Sequence, residues 1–268
     1  FNLGLGKKDI AELAYISEHD IMGIPCGRLD QYAAAFGNVI IIQTRPPYNV
    51  DVINLKEGVF GVVDTGIRHS TADIHPVRQK EINEGLEKLL AVVPDNLKMF
   101  LGKNYWEPKW EMLSEKDLHE YLNMLPEKPK NRILFTLREH KSTVLALRVL
   151  RGEEISLDEL SETSGIPKKK VELFLNDKLA LIGLIMTYQH TLLSKLYDVS
   201  LDVIDKLVET LIYKGALGAK LSGAGLGGAV IALFRNEHIA KKAIREAISE
   251  KLGVNGWVVN VDEGLTIH

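Results

Sequence analysis

The sequence predicts an α+β fold, with helices and antiparallel strands grouped rather than alternating. Three observations carry this. NVIIIQTR, 38–45, is a compact β-branched run, followed by two more short apolar runs. From His75 to about Tyr213 the apolar residues recur at helical spacing. Two strand-like runs then flank a glycine-rich turn, and such grouping of strands argues against an alternating parallel sheet.

Residues 8–20 place Ile10, Leu13, Ala14 and Ile16 on one face of an amphipathic helix. The runs 38–45, 51–55 and 59–64 read as a small antiparallel sheet, with turns at Pro46-Pro47 and Glu57-Gly58. Helices are expected at 77–90, 115–124 and 130–150, separated by proline and charge clusters. Residues 155–174 form a short helix, a Ser-Gly turn and a second helix opening on Lys168–Lys170. That layout is shared by DNA-binding helix-turn-helix units and by ordinary packed helix pairs, and the acidic chain favours the latter. Helices at 179–196 and 201–213, strands at 217–221 and 229–234, a helix at 239–252 and strands at 256–261 and 264–267 complete the pattern.

The 268 residues suffice for one large domain or two modest ones. A net charge of −3 supplies no basic field, so nucleic acid is not an expected partner. One cysteine, Cys26, excludes an internal disulfide and fits the cytoplasm, where the protein is expected. The longest apolar runs are too short to span a membrane, and no stretch has the make-up of a signal peptide. The chain opens on Phe1 and runs straight into a Gly-containing stretch, so residues upstream are expected.

Two stretches carry the chemistry. In GIPCGRLDQYAAAFGN, 23–38, Asp30 either caps a short helix or faces a ligand as a base, with Gly27 letting the backbone come close. KLSGAGLGGAVIALF, 220–234, packs Gly223, Gly225, Gly227 and Gly228 between two strands. It is neither a P-loop nor a dinucleotide fingerprint. It reads equally as a nest of N–H groups for phosphate or as a ligand-free hairpin.

Taken in order, these stretches resemble the galactokinase branch of the superfamily that also holds homoserine, mevalonate and phosphomevalonate kinases (GHMP kinases). SEHDIMGIPCGRLDQ is similar to the galactokinase segment A-E-H…G-x-P-C-G-x-x-D-Q. DTGIRHSTADIHPVRQ resembles T-x-V-R-H-S-L-A…Y-x-x-R-R, and HTLLSKLYDVSLDVID follows H-x-S-L-R-D-D-Y-x-V-S-x-x-E-L-D. KLSGAGLGGAVIALF resembles the third motif, M-T-G-A-G-F-G-G. The resemblance implies a two-lobed α+β GHMP kinase fold. Residues 1–64 would be the remainder of the N-terminal lobe. Residues 65–268 would form a helix-rich C-terminal lobe carrying an antiparallel sheet, with a helical insertion at about 153–177.

It implies an ATP-dependent phosphotransferase acting on a hydroxyl of galactose or a related hexose or sugar acid. Asp30 would accept or steer the hydroxyl proton, Gly27 would approach the sugar, Glu18 would hold Mg²⁺, and Gly223, Ala224 and Gly225 would bind ATP. The alternatives are a non-catalytic sugar sensor and a kinase for a non-sugar alcohol such as mevalonate. Cys26 reads as a small buried apolar group, Arg68-His69 as a surface or packing pair, and His190 as a hydrogen-bonded helix residue.

The departures are specific. The family's R-x-N-L-x-G-E-H-x-D-Y sugar motif and its P-x-G-x-G-L-S-S-S-A phosphate loop have no counterpart, so this stretch alone is expected to be inactive. His75 stands at the position of the sugar-contacting tyrosine. Arg28 replaces a neutral residue two before Asp30, either to meet an acidic substrate or to pair with Asp30 and weaken it as a base. Ser194, Lys195 and Leu196 replace the R-D-D of the helix-end motif. Oligomeric state is not readable.

Overall fold

The computed structural model describes residues 4–24, 26–68 and 71–266, and of residues 71–73 the backbone only. Helices α1 (Lys7–Ile16) and α2 (Leu29–Phe36) pack together beside the antiparallel hairpin β1 (Val39–Ile42) and β2 (Val50–Ile53). Ala11, Tyr32 and Ala35 are the buried centre of this unit, with Phe36, Ile40, Ile42 and Val50 around them.

Strand β3 (Val59–Asp64) does not join that hairpin, contrary to the sequence expectation. It is an inner strand of a four-stranded antiparallel sheet ordered β4 (Gly218–Ser222), β5 (Ala229–Phe234), β3, β6 (Asn255–Val259). The cause is two-sided burial. Val59 and Val63 face one core while Phe60, between them, faces another, so the strand needs partners on both edges and a helix on both faces. Its register sets Val63 opposite Val230 and Gly61 opposite both Ala232 and Val258. Thus the last strand of residues 1–64 is hydrogen-bonded only to strands of residues 65–268.

One face of the sheet is covered by α10 (Asp202–Tyr213) and α11 (Glu237–Ser249), through Ile204, Leu207, Leu211, Ala243 and Ala247. On the other lies α9 (Lys178–Leu192), which brings Ile182 and Ile185 to Leu233. Here α9 and β4 touch backbone to backbone at Gly183 and Gly218. A Cβ on Gly218 would lie 1.7 Å from the Gly183 carbonyl oxygen, so both positions exclude a side chain. A helical layer of α3 (Thr71–Val92), α4 (Asp95–Lys98), α5 (Glu115–Leu122) and α6 (Glu127–Arg151) packs around Leu86, Leu89, Leu118 and Ile133. The pair at 155–174 is α7 (Leu157–Ser164) and α8 (Lys168–Glu172), docked through Leu160 and Val171 onto Leu145, Val149 and Leu179. Both helices are thus committed to a core, as in the packed-pair reading.

Three boundaries differ from expectation. The helix expected at 8–20 is regular to Ile16 and then makes one π-helical turn, Ser17–Ile21. Likewise α9 stops at Leu192 and continues as a π turn, Leu193–Tyr197. The described part of the strand expected at 264–267 is not a strand, because its hydrogen bonding goes to α2. The Leu265 N–H donates to the Ala35 carbonyl at 3.1 Å. No helix among the described residues is long and apolar enough to cross a membrane.

Candidate active site

The π turn after α1 carries Glu18, and π turns of this kind are frequent at functional positions because the extra residue re-aims a side chain. Helix α2 starts at Leu29, with Arg28 as the preceding cap residue and no side chain capping the helix. Asp30 is therefore inside the first turn and is not the cap. It is exposed, and it lines a cleft of about 370 Å³ together with Glu18 and Gln31. Small side chains on the facing helices, Ala11 and Ala14 against Ala34 and Ala35, leave that space open.

Gln31 joins the site from beneath, a role the sequence reading did not give it. Its Nε2 donates to Glu18 Oε2 at 2.5 Å and lies 3.8 Å from Cys26 Sγ. Burial, and then the Glu18 carboxylate beside it, push the Cys26 thiol pKa up. Cys26 therefore stays protonated beside the carboxylate and serves as filler. The other Gln31 amide atom, Oε1, is buried with no hydrogen-bond partner. At Gly27 a Cβ would meet no atom within 4 Å, so the backbone borders open space there.

Arg28 is fully engaged elsewhere. Its Nε and Nη2 contact the Glu12 carboxylate at 2.7 to 3.1 Å, and its guanidinium lies 3.8 Å from the Tyr15 ring centroid and 3.9 Å from that of Tyr48. The Arg28 bonds hold the Glu12 pKa below the usual carboxylate range. Tyr32, whose hydroxyl donates to Glu12 at 2.7 Å, is pushed up to about 12 by burial and by that bond. Among the described residues Arg28 has no ion pair with Asp30. The partner that decides its role, Glu12, lies sixteen positions earlier, and no local motif points to it.

The glycine-rich loop is tied at alternate residues. The Leu226 N–H donates to Val199 O at 2.7 Å, and the Gly228 N–H to Ile67 O at 2.9 Å. Gly225 has φ +96° and leaves no room for a Cβ, which would fall 2.4 Å from Val199 O. The N–H groups of Gly223, Ala224 and Gly225 have no partner among the described residues. A run of free N–H donors in a loop pinned on both sides has the character of an anion nest. The pins are themselves supported. His190 is buried, accepts from the Leu221 N–H at Nδ1 (3.3 Å) and so carries its proton on Nε2, which faces Asp205 at 3.1 Å. Burial lowers the His190 pKa, keeping the imidazole neutral as this arrangement requires. Residues 196–199 are anchored by Arg132 and Arg78, which bond the carbonyls of Leu196 and Asp198 and share Glu81.

The structure brings Glu18, Asp30 and Gln31 together on one cleft, whose lining does not include Gly27. The cleft lining includes neither the glycine-rich loop nor His75, which lies half-buried near the start of α3. Arg68 makes a two-pronged surface pair with Asp64, at 2.7 and 2.8 Å. Its neighbour His69 lies outside the described residues.

Among the described residues no cluster of three or more His, Cys, Asp or Glu forms. The Glu18 carboxylate, an oxygen donor at the cleft, suits a hard cation that takes few protein ligands and completes its shell with water and phosphate. The residues present therefore fit Mg²⁺.

Residues 171–253 match the family model described as GHMP kinases C terminal. The chain is 30% identical to galactokinase of Thermococcus kodakarensis over 255 residues, covering 93% of this chain and 59% of that one. It is 30% identical to galactokinase of Pyrococcus furiosus over 267 residues, covering 96% and 61%. In fold it matches the crystal structure of Lactococcus lactis galactokinase complexed with galactose, with a TM-score of 0.68, 22% identity and coverage of 98% of this chain and 61% of that one. A weaker likeness, TM-score 0.55 at 21% identity, is to L. major mevalonate kinase, covering 97% and 60%. The chain thus spans about three fifths of the length of the curated relatives it matches. The motifs, the matched C-terminal model and these relatives agree: the chain is similar to galactokinases over about three fifths of their length, and residues 171–253 carry the GHMP kinase C-terminal pattern.

Proposed function

We propose that the protein of which this chain is part transfers the γ-phosphoryl group of ATP to a hydroxyl of galactose or a closely related hexose, in the cytoplasm. The observation that carries this reading is the placing of Glu18 and Asp30 on one cleft, with open space at Gly27. Phosphoryl transfer needs little covalent help from the protein and depends on positioning and on managing charge.

In this reading Asp30, exposed on the first turn of α2, takes the proton of the attacking hydroxyl or steers it. Gly27 lets the sugar come against the backbone, and His75 borders it from α3. The unpaired N–H groups of Gly223, Ala224 and Gly225 hold phosphate oxygens of ATP. Glu18, oriented by Gln31, would hold Mg²⁺, which when bound offsets the charge of the phosphates. Arg28 is saturated by Glu12 and by two tyrosine rings, which favours a neutral sugar over an acidic one. The two-lobed division is part of the same proposal, with β3 assigned to the second lobe by its pairing.

The test is ADP release by the full-length protein with galactose, Mg²⁺ and ATP, comparing wild type with Asp30→Asn. A positioned base contributes roughly 10²- to 10⁴-fold. The variant is expected to lose kcat by that factor while the KM for galactose changes little. Undiminished turnover in Asp30→Asn would refute the assignment of the base. Galactose binding without turnover in the wild type would favour the sugar sensor.

A further inference from the structure

A second concavity lies away from the Glu18–Asp30 cleft. It is a groove of about 1080 Å³ walled by α5, α6 and α7, roomy enough to bury a small organic ligand. Its base is apolar: Leu113, Leu137 and Leu145 are more than nine-tenths buried there, and Trp110 and Tyr188 add aromatic surface. One wall, α7, belongs to the span 153–177, which the family resemblance implies is an insertion.

The polar groups of this groove are unbalanced. Four carboxylates line it, and every one has a cation. Glu111 pairs with Arg45 at 2.7 Å, Glu115 with Arg138 through two contacts of 2.6 and 2.8 Å, Glu159 with Arg148, and Glu162 with Lys141 at 3.9 Å. Two of those cations, Arg45 and Arg148, are not part of the lining, so the groove's own bases are not all consumed. Lys116, His119 and His140 line it with no ion pair or hydrogen bond among the described residues. At the α7 wall Thr163 is 3% exposed, yet its Oγ1 has no hydrogen-bond partner. A hydroxyl this buried is nearly always paired, and here the groove is what it borders.

The geometry points to this groove as a second ligand site, for an aromatic carboxylate. The ring system lies against Trp110, Leu137 and Tyr188. The carboxylate is met by the spare donors Lys116, His119 and His140, and Thr163 supplies a hydrogen bond to a ligand oxygen. The site is independent of the phosphoryl-transfer reading, since it shares no residue with the Asp30 cleft or the glycine-rich loop.

The test uses 2-naphthoate as the probe, with isothermal titration calorimetry on the full-length protein. One equivalent is expected to bind saturably, and 2-naphthylmethanol, which keeps the rings and lacks the charge, at least tenfold more weakly. The exposed double variant Lys116→Ala/His119→Ala is expected to keep the wild-type melting temperature and to erase that tenfold preference. Thr163→Val is expected to weaken naphthoate about fivefold. Failure of naphthoate to saturate, equal binding of the alcohol, or unchanged naphthoate affinity in both variants would overturn the proposal.

Discussion

Gly183→Ala pits a local gain against a tertiary cost. Position 183 lies inside α9, where replacing glycine by alanine stabilises a free helix by about 1 kcal/mol. In the folded chain the new Cβ would sit 2.4 Å from both the carbonyl carbon and the oxygen of Leu217, and 2.8 Å from the Gly218 nitrogen. Ordinary contact begins at 3.4 Å, so the helix must lift by 1.0 Å, the difference of the two distances. All three atoms are backbone, and β4 is fixed by β5 at its other edge, so the strand has little freedom to retreat. Overpacking of this kind costs about 1–3 kcal/mol, and a rigid backbone neighbour argues for the top of that range. The net expectation is a loss of about 2 kcal/mol, or roughly 4–8 °C in melting temperature for a chain of this size. The lift also acts further along α9, where Gln189 holds Lys220 at 2.8 Å and His190 holds the Leu221 N–H at 3.3 Å. Amide exchange at Leu221 should therefore quicken. Calorimetry and hydrogen exchange read both effects. A melting temperature equal to or above wild type would mean that the close approach of α9 and β4 is not a constraint, and the reasoning would fail.

Other consequences follow from the charged groups. Arg132→Met should cost about 3 kcal/mol by urea denaturation, since the guanidinium is 2% exposed and its loss strips partners from Glu81 and the Leu196 carbonyl. A loss under about 1 kcal/mol would show the network to be dispensable. Arg28→Lys should weaken packing between α1 and α2, because an ammonium cannot make the forked contact to Glu12. It should also leave the ratio of turnover on galactose and galacturonate, in the full-length protein, within about twofold of wild type; a tenfold shift would place Arg28 on the substrate after all. For pH, the folded pKa of His190 is lowered by burial, so the unfolded chain binds the proton more readily. Its contribution is fully present above the unfolded value of about 6.5 and is lost as pH falls toward the folded one. Asp205 adds a later loss. Burial pulls it upward, but the Ser200 and Ser194 hydroxyls together with the charges of His190 and Lys195 leave it lowered, so its share goes as pH falls below about 4. Denaturation midpoints of wild type and His190→Gln should converge between pH 7 and 5, and parallel curves would count against the neutral, Nε2-protonated histidine.

What was legible in the sequence was whatever depends on near neighbours. The V-x-G-x-V alternation of β3, the span of β5 and the glycine-rich turn follow from local pattern. Partners did not, because β3 finds Phe234 and Val259 far along the chain, and no feature of 59–64 names them. The same limit governs the site. Gly27, Asp30 and Glu18 stand out by residue type and order, but the Gln31 link to Glu18 depends on a π turn that no propensity announces. Arg28 was open between Asp30 and a ligand only while Glu12 was out of view. The neutral state of His190 likewise needed the Leu221 amide, thirty-one residues away.

The tail at 262–265 ties back onto the first helices: Asn38 donates to Asp262 O, Lys7 to Glu263 O and Leu265 to Ala35 O, and Leu265 is part of the cleft wall beside Asp30. The Lys7–Glu263 contact joins positions 256 apart in the chain. During synthesis α1 and α2 leave the ribosome long before the residues that close them, at roughly 5–20 residues per second. For on the order of ten seconds the cleft around Asp30 lacks one wall. Its completion is a late, long-range event of the kind that slows folding, so a nascent chain has no finished Asp30 cleft until nearly all of these residues have been made.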